Sequence, residues 1–162
     1  MVCGIDFDTN AIYLCVYPTV RDGIHPPQPA LVPVALRSRG GDLREAIVAV
    51  PSALAFAIQR GNVVTGTDVY VERGTGRART GDWPLGAIAG AIMATWPRLV
   101  QGSARIVTTA DWKKNLGAPG NCNKQTANTY ATLHWRAHFD TPPPTDHNHL
   151  DAYGIAVYAS TH

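Results

Sequence analysis

The sequence predicts an α/β fold in which a mixed central sheet opens with a β-hairpin and is flanked by helices. Two short apolar stretches near the start, residues 2–6 and 11–17, are separated by Asp8, Thr9 and Asn10, a turn-forming trio that makes a hairpin their natural arrangement. Further on, short β-branched runs alternate with longer stretches of helical composition, the pattern of a sheet covered by helices. With 162 residues and 45% hydrophobic content, the chain suits one well-buried domain, residues 1–162, and is short for two.

Each element follows from local composition. After the hairpin, residues 18–33 carry five prolines and read as a loop. Residues 31–36 form a short third strand, placed at a sheet edge because its proline cannot donate to a ladder. Asp42 with Glu45 three residues on resembles a helix N-cap, leading into a helix over 46–59 that is expected to break or kink near Pro51. Val69, Tyr70 and Val71 mark a buried strand over 68–72 that delivers Glu72 to its end. The loop 74–81 is rich in glycine and arginine, and Asp82 followed by Pro84 reads as the cap and first turn of a helix over 85–96. That helix carries Gly86, Ala87, Ala89, Gly90 and Ala91, small residues that permit close helix approach. A strand over 104–109 follows, and helices over 124–139 and 147–160 close the chain on either side of Pro142, Pro143 and Pro144.

Charge is informative locally. The net charge is only +2, so no partner follows from the whole chain. Between Arg73 and Lys124, however, eight basic residues face two acidic ones, Asp82 and Asp111. Such a basic middle suits a phosphate backbone. Cys3, Cys15 and Cys122 are odd in number and lack metal-ligand spacing, so reduced thiols are expected. No secretory leader or membrane-length apolar run stands out, and a cytoplasmic protein without membrane association is expected, in the host cytoplasm if phage-encoded.

Three acidic positions lie beside apolar elements, where an uncompensated charge is costly: Asp6 at the end of the first strand, Glu72 at the end of the fourth, and Asp151 in the last helix. A hard divalent cation shared among carboxylates resolves that cost and is the usual arrangement in phosphate chemistry. His147 and Asn148 share a helical face with Asp151, so either could complete the ligand set. The loop 74–81 lacks the spacing of a nucleotide-binding P-loop and reads as a DNA-contacting turn. The tryptophans read as core or interface residues rather than base-stacking platforms.

The order β, β, β, α, β, α, β, α, α resembles the ribonuclease H-like superfamily, and the motifs resemble the RuvC family of Holliday-junction resolvases. Gly4-Ile-Asp6 is similar to that family's opening strand and first catalytic aspartate. Val71-Glu72, with Leu85-Gly-Ala-Ile-Ala-Gly90 after it, resembles the second acidic strand and its following helix. Trp112-Lys-Lys-Asn-Leu-Gly117 and Gly120-Asn-Cys-Asn-Lys124 resemble the segment bearing a lysine near the scissile phosphate. Asp151-Ala-Tyr-Gly-Ile-Ala156 resembles the last helix and its aspartate. Two departures stand out: Asp8 is an additional carboxylate or a turn residue, and Asn148 occupies the place where the family has Asp or His.

The resemblance implies an endonuclease that resolves four-way or other branched DNA by two-metal hydrolysis, as a homodimer making paired symmetric nicks. It implies two Mg²⁺ ions per site, with Mn²⁺ as a substitute and no small-molecule cofactor. The metal set would be Asp6, Glu72, Asp151 and His147, with Asn148 as the alternative to His147. Lys124, or one of Lys113 and Lys114, would neutralise phosphate charge. Arg73, Arg77, Arg79 and the three lysines would contact DNA. A protein of the same fold that binds branched nucleic acid without cutting it is the alternative, with Asn148 marking a lost ligand.

Overall fold

Alternation along the strands decides which side of the sheet each residue serves. In the first strand, β1 (Val2–Phe7), the side chains of Cys3, Ile5 and Phe7 enter one apolar core, while Gly4 and Asp6 face the opposite side. The structure, a computed structural model, describes residues 1–18, 28–36, 42–73 and 83–162, and for Trp83 and Pro84 the backbone alone. The expected loop 74–81 with Arg77 and Arg79, the cap Asp82, and most of the proline-rich span lie outside the described residues.

The elements are β1, β2 (Ala11–Tyr17), β3 (Ala30–Ala35), α1 (Leu43–Arg60), β4 (Asp68–Arg73), α2 (Trp83–Val100), β5 (Ala104–Thr108), α3 (Thr109–Asn115), α4 (Lys124–His138) and α5 (His147–Thr161). The five strands lie in the order β3-β2-β1-β4-β5. β1 pairs antiparallel with β2 and parallel with β4; β2 pairs antiparallel with β3, and β4 parallel with β5. The expected hairpin therefore forms, and β3, which holds Pro33, is an edge strand. Asp8 is a turn residue: its Oδ1 accepts from the amides of Asn10 and Ala11 at 2.6 and 2.8 Å.

Helices α1 and α2 cover one face of the sheet, around Ile5, Leu14, Leu54, Val71, Ile92 and Trp96. Helices α3, α4 and α5 cover the other, around Tyr70, Trp112, Trp135, Tyr153 and Ile155. Trp96, Trp112 and Trp135 are buried, in keeping with their reading as core residues. Among the described residues, no helix is long and apolar enough to cross a membrane.

Three elements differ from expectation. α1 runs through Pro51 without breaking, because Ala46, Val50, Ala53, Leu54 and Ala57 anchor both halves to the core while Pro51 faces solvent. α2 likewise continues through Pro97 to Val100. α3 was not expected as a helix. It starts immediately after β5, capped by Thr108, whose Oγ1 accepts from the Asp111 amide.

α5 is apolar on nearly every side, the signature of a buried helix, with Leu150 through Val157 all withdrawn from solvent. It lies directly on β1. A Cβ on Gly4 would stand 2.3 Å from the Ala152 carbonyl oxygen and 2.4 Å from the Ala156 nitrogen, so only glycine permits this approach. On its other side Gly154 packs against the Trp112 ring, which would lie 2.7 Å from an added Cβ. These contacts fix Asp151 in the first turns of α5 against the centre of the sheet.

Candidate active site

Parallel pairing sets the first two acidic groups side by side. Ile5 of β1 pairs with Val71 of β4, so Asp6 and Glu72 follow one residue later on adjacent strands. Both face α5, which brings Asp151. The three carboxylates line a single pocket of about 240 Å³ together with Thr109, Trp112, Lys113 and Lys124. Residues 6, 72 and 151, far apart in the chain, thus meet where the sequence placed its candidate ligands.

Burial and proximity act together on these acids. The Asp6 carboxyl is pushed up to about 8, first by burial and then by the neighbouring Asp151 and Glu72, with Lys124 opposing. Glu72 is raised by burial, against the hydrogen bond donated to its Oε1 by Thr109 Oγ1. Asp151 is also raised by burial, against its contact with Lys124. Three acids that resist ionisation in one pocket form a site deficient in positive charge.

Two lysines supply part of that charge. Lys124 Nζ lies 2.9 Å from Asp151 Oδ2 and donates to Asn148 Oδ1 at 3.0 Å. Burial lowers the Lys124 pKa, but the bond and charge of Asp151, with Asp6 and Glu72 behind it, raise it overall. Lys113 is buried and donates to the Cys122 carbonyl at 2.8 Å, so its ammonium is tied inside the pocket wall. Lys114 and Arg73 are exposed.

The histidines separate. His147 is exposed and outside the pocket lining, although its charge still reaches Asp151. Asn148 is held from both ends: its amide donates to the cap residue Asp146 at 2.8 Å and its side chain accepts from Lys124. His149 is partly buried with its ring edge-on to Tyr13, a packing role. Sequence reasoning passed over Thr109 and read Trp112 as a core or interface residue, without its place in this pocket. Thr109 lies 37 residues from Glu72 in the chain, and no local pattern signals that encounter.

The residues present fit a hard cation. All three acids offer oxygen, and Asp151 Oδ1 is buried without a hydrogen-bond partner, an orphaned acceptor of the kind a cation satisfies. Among the described residues, no three His, Cys, Asp or Glu side chains stand in ready-made metal-holding geometry. The carboxylates surround the pocket, and Lys124 draws Asp151 to itself.

Comparison with solved structures decides the fold. A structure of RuvC from Thermus thermophilus superposes with a TM-score of 0.67 at 17% identity, over 97% of this chain and 91% of that one. The chain has the RuvC fold. A second structure, T. thermophilus RuvC in complex with a Holliday junction substrate, matches with a TM-score of 0.64 at 16% identity, covering 97% of this chain and 90% of its own. No protein-family description and no curated protein matches the sequence. The fold is thus shared at low sequence identity, with the three acids gathered in the pocket on β1, β4 and α5.

Proposed function

We propose that the protein is a metal-dependent endonuclease that resolves Holliday junctions or other branched DNA. The observation that carries this reading is the convergence of Asp6, Glu72 and Asp151, with Lys113 and Lys124, on one pocket of a RuvC fold. That one relative was solved with a junction substrate supports branched DNA as the ligand class.

Asp6, Glu72 and Asp151 would hold Mg²⁺ or Mn²⁺, with His147 or Asn148 at the margin of the set. Bound divalent ions supply an activated water and stabilisation of the charge that develops on the leaving oxygen. The chain's own part is positional. Thr109 fixes one oxygen of Glu72, Gly4 lets α5 carry Asp151 to the strand ends, and the buried Trp112 lines the pocket. Lys124 is half-exposed at the pocket rim, suited to meet a phosphodiester oxygen and offset its charge. Arg73 and Lys114, both exposed, would contact the DNA backbone, together with Arg77 and Arg79, which follow Arg73 in the sequence.

Paired symmetric nicks call for a homodimer with two sites related by a two-fold axis. The small-residue side of α2 is the proposed contact, since Gly86 and Gly90 are exposed there with open space around them. The alternative is a junction-binding protein of the same fold that does not cut, with the amide of Asn148 marking a lost ligand.

A single assay separates the two. The protein is incubated with a synthetic four-way junction, with linear duplex, flap and RNA controls, in Mg²⁺, Mn²⁺ or chelator. Metal-dependent nicking confined to branched DNA is expected. Tight junction binding without nicks in either metal favours the architectural alternative.

A further inference from the structure

Asp151 divides its two oxygens between different surroundings. Oδ2 is bound by the Lys124 ammonium, which also bonds Asn148 Oδ1, whereas Oδ1 is buried and unpartnered. Two oxygens from α5, one anionic and one amide, thus already coordinate a positive charge that belongs to the protein. Resting on the metal-dependent reading above, we propose that Lys124 is a resident cation: its ammonium takes the place of a second divalent ion between Asp151 and Asn148. The free protein then holds one divalent ion and admits another only when Lys124 leaves Asp151.

Electrostatics supports this order. Three carboxylates and two lysines line the pocket, a formal charge of −1 when all are ionised. One divalent ion brings that to +1, so a second meets net repulsion unless a lysine withdraws. Lys113 is not free to do so, being buried and bonded to the Cys122 carbonyl. Lys124 is: its side chain is 50% exposed and ends a flexible stem at the pocket rim. A phosphodiester entering the pocket offers Lys124 a replacement partner, which places DNA before the second ion in the binding order. Asn148 acquires a definite role. A neutral amide bridges the lysine without binding it as tightly as a carboxylate would, leaving Lys124 able to depart.

The test counts Mn²⁺ bound per chain by electron paramagnetic resonance without DNA, for wild type, Lys124→Met and Lys124→Arg, with folding checked by circular dichroism. Wild type and Lys124→Arg are expected to bind one ion and Lys124→Met two, the second at least about tenfold tighter than any second ion in wild type. Two ions in wild type, or one in Lys124→Met, would overturn the resident-cation inference and leave the metal-dependent reading standing. No Mn²⁺ bound by any of the three would overturn both.

Discussion

Asp6 stands between two carboxylates in a partly desolvated pocket, and its proton affinity follows from that position. Its carboxyl titrates near 8 in the folded chain, whereas an unfolded aspartate titrates near 4. A carboxylate raised in this way favours the folded state while protonated in it, and that contribution is lost as pH rises from about 4 toward 8. Asp6→Asn keeps the shape without the charge. Without metal, the melting-temperature difference between Asp6→Asn and wild type is expected to grow in the variant's favour between pH 5 and pH 8. With folded and unfolded values near 8 and 4, linkage sets the size of that change at about 3–4 kcal/mol. Thermal melts in chelator measure it, and a difference that does not change with pH would contradict the account. Added Mg²⁺ should raise wild type and leave Asp6→Asn nearly unmoved. Thr109 acts on Glu72 by one hydrogen bond. Thr109→Val is expected to lower kcat by about tenfold with KM little changed, as loss of a bond to a charged group predicts. Steady-state kinetics on a junction reads both constants.

The strands were readable in the sequence as short apolar, β-branched runs bounded by turn signals, and in β1 Cys3, Ile5 and Phe7 serve one covered face while Gly4 and Asp6 serve the other. The candidate ligands were readable because strand ends beside apolar runs are unusual places for acids. What could not be read depended on encounters between distant segments. α3 has only 7 residues, about two turns and too short a stretch to show a periodic pattern, and its cap Thr108 is also the last residue of β5. Thr109 and Trp112 gain their roles only when α3 is folded against β4 and α5. At Pro51 the local rule allowed a break or a kink, and burial along α1 keeps the helix unbroken. The closest contact between elements gives the clearest test of packing. Gly4→Ala is expected to cost about 3 kcal/mol or more in urea denaturation, since backbone of α5 stands where the methyl would go. Gly86→Ala, on the exposed side of α2 with open space around it, should stabilise by up to about 1 kcal/mol. Equal effects at the two glycines would contradict the packing described.

At the scale of the molecule, the RuvC fold places two parallel strand ends and one buried helix around a single pocket, and it does so with 17% identity to T. thermophilus RuvC. In this chain the sheet order, the glycine beneath α5 and the three acids together form the pocket. The proposed dimer belongs to this scale. Sedimentation is expected to show a two-fold assembly in wild type and a monomer in Gly90→Arg, and a monomeric wild type at all practical concentrations would contradict the proposed pairing of active sites. The most direct measurement compares wild type with Asp6→Asn on one end-labelled four-way junction in Mn²⁺, following binding and strand scission in the same samples. The account predicts equal binding by both proteins, paired nicks at symmetric positions with wild type, and none with Asp6→Asn. Nicks that persist in Asp6→Asn, or a wild type that binds the junction and never cuts it, would contradict it.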